Sequence, residues 1–302
     1  MICTVNGLFD KEELGITMCH EHLALDLSLV RGDDDSTFHD RNLIVEELNK
    51  MKAYGVKTVV EVTCGDMGRD VRALREISDV CDIHIIAATG CYLEAYHNEF
   101  IRYAKAEDIC DIFEKEAVEG IGETGIKAGI IGEVASGMGE MAPSEERVLI
   151  AAAMASVRTG LAVTTHCQMG SLALEQSKIL QENGMNPDKI ILGHLDLANN
   201  RDYYVKVLST GVNIGFDTIG KSAYLSDEIR ADNLLWLLEK GYEDHIVLSQ
   251  DISRKSYLSA YGNYSGYMTV MKDFVPLLKK KGIKEEDLEK LLIRNPARIL
   301  DI

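Results

Sequence analysis

The segment Ile83-His84-Ile85-Ile86-Ala87-Ala88-Thr89 is short and almost entirely apolar. A run of this kind suits a strand of a parallel sheet that helices cover on both faces, because neither side of the strand then meets water. Seven further runs share this character, so the sequence predicts eight strands. The other seven cover residues 15–22, 56–63, 128–134, 161–166, 189–194, 212–216 and 245–250.

Helical patterns separate the predicted strands. Residues 41–54 place apolar side chains at helical spacing, and Gly55 follows them as a C-terminal cap. Further helices are predicted over residues 144–159, 171–183, 230–240 and 285–294, the last ending at Asn295-Pro296, and within residues 94–125.

The alternation of strands and helices determines the predicted fold. Eight such units in about 300 residues indicate an α/β fold, a single (β/α)8 (TIM) barrel domain spanning residues 1–302. An open, doubly wound sheet is the alternative. The first strand is not followed by a Gly-rich phosphate loop, and this disfavours the open sheet.

The composition limits the partners and the compartment. The chain carries 49 acidic and 32 basic residues and a formal net charge of −17, which argues against nucleic acid or an anionic membrane as its partner. A small substrate, even an anionic one, senses only the local field of its pocket and is compatible with this charge. Seven cysteines without a CxxC pair favour reduced thiols, and neither a secretory signal nor an apolar run of about 20 residues is visible. We therefore expect a cytoplasmic enzyme.

Two histidines at the end of the first predicted strand are candidate metal ligands. His20 and His22 are two residues apart, so a strand projects both imidazoles from one face, where they form a good chelate for a zinc-like cation. The neighbouring Cys19 is expected to point the other way, as is Cys167 beside His166. The His-x-His pair alone is equally compatible with a structural role.

Four more metal-ligating side chains stand at the ends of other predicted strands. They are Glu133, His166, His194 and Asp251. The C-terminal ends of barrel strands meet at one rim, and barrel enzymes place their chemistry there. A lone histidine on an apolar run is usually a satisfied core residue, but six ligand-type residues at one rim are hard to explain in that way. The sequence therefore predicts a metal centre at this rim.

The order of these residues resembles the phosphotriesterase family of the amidohydrolase superfamily. The resemblance extends over nearly the whole chain and is strongest to the subgroup called phosphotriesterase homology proteins. Its most specific segments are residues 15–23, Leu192-Gly193-His194-Leu195-Asp196, Leu248-Ser249-Gln250-Asp251 and Asn295-Pro296-Ala297-Arg298. One departure is that many family members carry a carboxylated lysine on the fourth strand, where this chain has Glu133. A glutamate also supplies two oxygens and one negative charge.

The resemblance implies a binuclear, metal-dependent hydrolase and a place for each ligand. The six ligands would hold two divalent cations, the more buried one by His20, His22 and Asp251, the more exposed one by His166 and His194, and both by Glu133. A hydroxide shared by two cations is a usable nucleophile near neutral pH, and Asp251 would be the catalytic residue that takes its proton and passes it to the leaving group. Zn²⁺ is the expected metal, and Mn²⁺, Co²⁺ and Ni²⁺ fit the same donors. The family resemblance also implies a homodimer.

The loops after the seventh and eighth predicted strands carry candidate substrate-binding residues. Barrels often bind phosphate there, and Lys221, Arg254 and Tyr257 offer a point charge, a bidentate fork and a hydroxyl donor. This pattern resembles relatives that hydrolyse lactones of sugar phosphates. The alternative is that Arg254 and Lys255 are a solvated pair on an acidic surface.

Three functions are compatible with the sequence. The first is a hydrolase of a phosphorylated sugar lactone or similar carboxylic ester, with the phosphate as a handle. The second is a phosphotriesterase of the aryldialkylphosphatase type. Neutral triesters need apolar, aromatic walls, and an aromatic content of 6% disfavours it. The third is a catalytically inert metal-binding barrel, which the presence of Asp251 beside the expected hydroxide disfavours.

Overall fold

A computed structural model describes residues 1–262 and 264–302, and in it eight parallel strands form a barrel with helices around the outside. The strands pair in chain order, and all eight predicted strands are confirmed with ends shifted by a few residues. They are β3 (Ile16–Glu21), β4 (Val56–Glu61), β5 (His84–Thr89), β6 (Ile130–Ser136), β7 (Val163–Cys167), β8 (Ile190–Gly193), β9 (Asn213–Phe216) and β10 (Ile246–Leu248). A short antiparallel hairpin, β1 (Ile2–Thr4) and β2 (Gly7–Phe9), precedes them and was not predicted.

The helices occupy the connections between the strands, as predicted. The described residues contain α1 (Ser28–Arg31), α2 (Arg41–Lys52), α3 (Val71–Cys81), α4 (Glu99–Tyr103), α5 (Ala106–Val118), α6 (Pro143–Thr159), α7 (Ala173–Glu182), α8 (Arg201–Leu208), α9 (Asp227–Glu239), α10 (Val275–Lys281), α11 (Glu285–Glu289) and α12 (Asn295–Leu300). The extra helix expected within residues 94–125 is α4. Each helix in the described ranges is too short or too polar to cross a bilayer.

The prediction that the last helix ends at Asn295-Pro296 is wrong. A π-helical turn, Lys290–Arg294, joins α11 to α12, so the helical path continues through the proline. Pro296 lies in the first turn of α12, where a missing backbone N–H costs little. The Asn295 side chain donates to two backbone carbonyl groups, those of Glu243 and Ile246, both at 2.8 Å, and thereby ties this helix to the start of β10.

The barrel interior is filled by a small apolar cluster formed by one or two side chains from most of its strands. Its members on the strands or directly next to them are Cys19, Val60, Val62, Ile86, Ala88, Ile130, Ala162, Ile191 and Val247. The larger core lies between the sheet and the helices. Cys167 belongs to this outer core, as expected from its neighbour His166. Cys19, in contrast, belongs to the inner cluster, so the expectation that it points away from the ligand side is wrong.

A bulge in β3 explains the position of Cys19. Met18 pairs with Val59, but Glu21 pairs with Glu61, so two residues of β3 stand opposite one residue of β4. A bulge breaks the strict alternation of faces on which the expectation for Cys19 depended.

The barrel closes where β10 meets β3, next to the predicted ligands. The backbone N–H of Asp251 donates to the His20 carbonyl group at 3.2 Å. The fully buried carboxylate of Glu21 accepts from the backbone N–H groups of Gln250 at 3.0 Å and Ile252 at 3.1 Å. A side chain thus takes the place of ladder hydrogen bonds at this seam.

Gly132 allows β6 to deliver Glu133 to the barrel interior. Its φ is +116°, and a Cβ atom there would lie 1.9 Å from the carbonyl oxygen of Thr164. The register between β6 and β7 shifts between Ile131 and Val134, and the Glu133 N–H donates to the Val62 carbonyl group at 3.1 Å instead. Any side chain at position 132 would therefore push β6 away from β7.

We predict that Gly132→Ala lowers the free energy of unfolding by about 2 kcal/mol or more, because strain at positive φ adds to the clash with Thr164. Urea unfolding measures the change. Gly139→Ala is the matched control, since its φ is also positive (+82°) but its Cβ would meet nothing within 4 Å. Equal losses in the two variants would show that the close approach to β7 is unimportant.

Candidate metal centre

The carboxylate of Glu133 lies among the four predicted histidine ligands. Its Oε2 is 3.3 Å from His20 Nε2, 3.1 Å from His166 Nδ1 and 3.7 Å from His194 Nε2. Its Oε1 is 3.4 Å from His22 Nε2. Glu133 therefore contacts all four imidazoles, which is the position that a bridging ligand needs.

Asp251 lies beside this cluster, and its two carboxylate oxygens contact different side chains. Its Oδ1 is 3.3 Å from His22 Nε2, and its Oδ2 accepts from the ammonium group of Lys221. Three sets of donor atoms lie within 4.8 Å of one another at the rim: His20, His22 and Glu133; Glu133, His166 and His194; and His20, His194 and Asp217. Asp251 thus stands beside the first set rather than within it.

The chemistry of these donors fits divalent cations. His20 is 1% exposed, and within the described residues neither of its ring nitrogens makes a hydrogen bond. Buried polar atoms without a partner are costly, and a cation bound by the ring would satisfy one of them. Neutral imidazoles and carboxylates are the donors that zinc and similar metals accept. The residues at the rim therefore fit a divalent metal centre.

Hydrogen bonds at the far ring nitrogens orient the imidazoles. His22 Nδ1 donates to Thr63 Oγ1 at 2.9 Å, and the Thr63 hydroxyl in turn donates to Glu61. His194 Nδ1 donates to Asp217 Oδ1 at 2.8 Å. These bonds leave the Nε2 lone pairs of His22 and His194 facing Glu133, as expected for histidines that hold a metal.

His166 is oriented in the opposite sense. Its Nε2 donates to Gln168 Oε1 at 2.6 Å, which leaves its Nδ1 facing Glu133 and 2.9 Å from His194 Nε2. The Tyr92 hydroxyl is 3.4 Å from the same Nδ1. His166 therefore offers a different ring nitrogen to the site from the one that His22 offers.

Asp217 is a further residue at the site, and the sequence analysis gave it no role. Its Oδ1 also accepts from the His194 backbone N–H at 2.8 Å, and its Oδ2 is 3.4 Å from His20 Nδ1. Asp217 directly follows β9 and His194 directly follows β8, whereas Glu133 lies in the middle of β6. A strand-end acid on the seventh barrel strand was therefore the signal available in the sequence.

The pKa shifts report a concentrated negative potential at the rim. Burial alone would lower the pKa of His22, but hydrogen bonds with Asp251 and Glu133 raise it to about 9. Burial likewise opposes the charge on His194, but Asp217 raises its pKa to about 10. The potential that favours protons on these rings also favours a divalent cation at the same place.

A cavity of about 240 Å³ opens above the candidate metal ligands and is lined by the predicted substrate-binding residues. Lys221, Arg254 and Tyr257 all line it, so the structure brings these three together at the site. The Lys221 ammonium group, paired with Asp251, also lies 5.3 Å from the centre of the Tyr257 ring. Arg31, the last residue of the short helix α1, lines the same cavity and was not predicted from the sequence.

Arg254 has carboxylate partners of its own. Its Nη1 lies 3.3 Å from Asp33 and 3.4 Å from Asp35. The neighbouring Lys255 instead pairs with Asp34 at 2.9 Å. The loop after β10 is therefore held against residues 33–35, and Arg254 is the member of this contact that faces the cavity.

Aromatic side chains also line the cavity, although the chain as a whole contains few. They are Tyr92, Tyr96, Tyr224 and Tyr257. The low overall aromatic content was therefore a poor guide to the pocket, and it no longer counts against a neutral substrate.

Comparison with known proteins identifies similar sequences and structures. A family model described as the phosphotriesterase family matches residues 1–300. The phosphotriesterase homology protein of Escherichia coli is 35% identical over 94% of this chain and 97% of its own. A phospho-furanose lactonase of Mycoplasmopsis synoviae is 32% identical over 98% of this chain and 90% of its own. The crystal structure of the Escherichia coli phosphotriesterase homology protein, complexed with phosphate in its active site, superposes with a TM-score of 0.94 at 34% identity, covering 97% of this chain and all of that one.

We predict that Glu133→Gln lowers the bound metal by at least one equivalent per chain, because the amide keeps the size but removes the charge that the four imidazoles surround. Elemental analysis after dialysis measures the content. Glu47→Gln is the control, since Glu47 is also buried but bonds to Lys50 and Ser259 on the outside of the barrel. A Glu133→Gln protein with full metal content would contradict the bridging role.

Proposed function

The chain belongs to the phosphotriesterase family and is a metal-dependent hydrolase that acts on ester bonds, and from this premise we propose that it hydrolyses a phosphorylated sugar lactone or a similar carboxylic ester. The observation that carries the proposal is the cavity wall formed by the cations Lys221 and Arg254 and the hydroxyl of Tyr257, which lies beside the imidazole and carboxylate cluster. One relative is named as a phospho-furanose lactonase, and one structural neighbour holds phosphate in its active site. Both support an anionic substrate.

The residues at the rim would hold two divalent cations. His20, His22 and Asp251 would hold one, His166 and His194 would hold the other, and Glu133 would contribute to both. Zn²⁺ is the first choice, and Mn²⁺, Co²⁺ and Ni²⁺ accept the same donors. When bound, such a pair of cations supplies an activated water and polarises the carbonyl group of the substrate.

Asp251 carries the proton in the proposed reaction. It takes a proton from the attacking water and returns it to the oxygen that leaves from the opened ester. Burial would raise the pKa of this carboxyl, but Lys221 and His22 hold it below its ordinary value. Asp251 therefore enters the reaction as a carboxylate, and its contact with Lys221 fixes the direction in which it points.

The phosphate is a handle and does not react. Charge-assisted hydrogen bonds of arginine are normally about 2.7–2.9 Å long, and those of Arg254 to Asp33 and Asp35 are 3.3 and 3.4 Å. These contacts are weak enough for a phosphate to replace them. Arg31 supplies a further cation to the same cavity.

A literal phosphotriesterase remains the second candidate, because four tyrosines line the cavity and suit the apolar groups of a neutral triester. The inert-barrel alternative is disfavoured because the family relative from Mycoplasmopsis synoviae is named as an enzyme. We further propose a cytoplasmic homodimer without a nucleic-acid or membrane partner. Seven buried cysteines, all free in the structure, support a reducing compartment.

We predict that Arg254→Ala raises KM for a phosphorylated lactone about 10- to 100-fold, since a hydrogen bond to a charged group contributes about 1.5–3 kcal/mol. KM for the same lactone without phosphate should change less than about threefold. Steady-state kinetics of the metal-loaded protein measure both values.

Lys255→Ala is the matched control for this prediction, because Lys255 is adjacent in the same loop but pairs with Asp34 and does not line the cavity. It should leave both KM values unchanged. Rapid hydrolysis of an aryl dialkyl phosphate that is indifferent to Arg254→Ala would instead favour the phosphotriesterase.

A further inference from the structure

Arg230 is a fully buried arginine behind the metal centre, on helix α9. Its Nε donates to Asp196 Oδ2 at 2.6 Å, its Nη2 to Thr218 Oγ1 at 2.9 Å and its Nη1 to Asp227 Oδ1 at 2.9 Å. Nη1 also donates to the Leu225 carbonyl group. One planar group therefore joins α9 to two different loops at the C-terminal rim.

Both loops carry residues of the centre. Asp196 lies two residues after the ligand His194, in the turn that follows β8. Thr218 directly follows Asp217, which holds the His194 ring. Three residues later, the Lys221 ammonium group donates to the Asp251 carboxylate. The backbone carbonyl oxygen of Lys221 lies 3.5 Å from Arg230 Nη2.

The segment 217–225 lacks the regular hydrogen bonds of a strand or helix, and Arg230 takes their place. Thr218 Oγ1 also donates to Asp196 Oδ2, and the Gly220 N–H donates to Asp227 Oδ1 at 3.0 Å. The carboxylates that Arg230 holds therefore hold the loop in turn. Because the contacts radiate in three directions in one plane, they fix the loop's orientation as well as its distance from α9.

Stability alone accounts poorly for this arrangement. Burial of an ion pair costs desolvation energy, and an apolar replacement is often neutral or stabilising. Asp196 Oδ1 has no hydrogen-bond partner within the described residues, which adds to the cost. The arrangement gains instead a defined geometry for the loop.

We propose that Arg230 is a positioning residue: its guanidinium fixes residues 217–225 so that Asp217 orients His194 and Lys221 orients Asp251. This inference rests on the proposed function, because it takes His194 and Asp251 as metal ligands. Lysine at this position keeps the charge but offers no planar fork, so it can satisfy Asp196 without holding Thr218 and Leu225 together.

The test compares Arg230→Lys with Arg298→Lys. Arg298 is the matched control, because its guanidinium also joins separate segments, donating at 2.7 Å to Asn213 Oδ1 and to the Asp244 carbonyl group, but lies at the opposite end of β9. Two quantities are measured for each protein: the melting temperature without metal, and the rate at which a colorimetric chelator removes Zn²⁺. We expect Arg230→Lys to lose Zn²⁺ at least tenfold faster than wild type, and Arg298→Lys to lose it at the wild-type rate.

A double variant tests the route through Lys221. If Arg230 acts by placing Lys221, then Arg230→Lys combined with Lys221→Ala should lower kcat/KM by less than the product of the two single effects. Any ester that the wild type hydrolyses serves as substrate. Thr218→Val removes one hydrogen-bond partner of the Arg230 guanidinium without leaving an unpaired buried charge. We expect this variant to lose Zn²⁺ several-fold faster than wild type, and it tests the inference even if Arg230→Lys fails to fold.

The outcomes separate this inference from the proposed function. Three results would each overturn the positioning role. The first is loss of Zn²⁺ at the wild-type rate from both Thr218→Val and Arg230→Lys. The second is Zn²⁺ loss from Arg298→Lys as fast as from Arg230→Lys, and the third is a double variant whose kcat/KM falls by the full product of the two single effects. A wild-type protein that binds none of Zn²⁺, Mn²⁺, Co²⁺ and Ni²⁺ would refute the proposed function and this inference together. Failure of phosphorylated lactones as substrates, with Zn²⁺ loss as expected, would refute the substrate alone.

Discussion

Glu133 places a carboxylate among four imidazoles in a buried part of the barrel, and much of the surrounding structure compensates for the burial of this charge. A buried charge is tolerated only when charged or hydrogen-bonding partners surround it. The Glu133 carboxyl keeps a pKa well below its ordinary value because His20 and the other imidazoles outweigh the effect of burial. Each imidazole except that of His20 has a second partner of its own, Thr63, Gln168 or Asp217.

The same requirement shapes the backbone around the site. Gly132 lets β6 approach β7 closely, and the bulge in β3 changes the facing of Cys19 while His20 and His22 still reach Glu133. At the seam between β3 and β10, the Glu21 carboxylate accepts from the backbone N–H groups of Gln250 and Ile252, in the segment that follows β10. The end of β3, with the candidate ligands His20 and His22, is thereby fixed against the segment that carries Asp251. Irregular backbone at the rim is thus the means by which a regular barrel presents its ligands.

The sequence predicted the barrel and the ligand cluster because both depend on local patterns. Apolar runs give the strands, and the parallel arrangement brings their ends, with Glu133, His166 and His194, to one rim. The carboxylates that pair with the basic side chains of the cavity could not be predicted in this way. Asp33 and Asp35 bind Arg254 from a segment without periodicity, and contacts between irregular loops depend on tertiary packing alone.

The ion pairs between basic and acidic side chains around the cavity affect which anions it can bind. In a chain with a net charge of −17, cations in the pocket wall attract carboxylates of the same protein. Lys221 is bound by Asp251, and Arg254 by Asp33 and Asp35. An anionic group that binds Arg254 would therefore enter by exchange with Asp33 and Asp35, and its binding free energy would be the difference between its own contacts and those of these two carboxylates. A phosphate gains from this exchange at Arg254, because its oxygens match the fork of the guanidinium better than two carboxylates at long distance. A singly charged group would gain less, so Asp33 and Asp35 would raise the selectivity for phosphate while lowering the affinity of Arg254 for every anion.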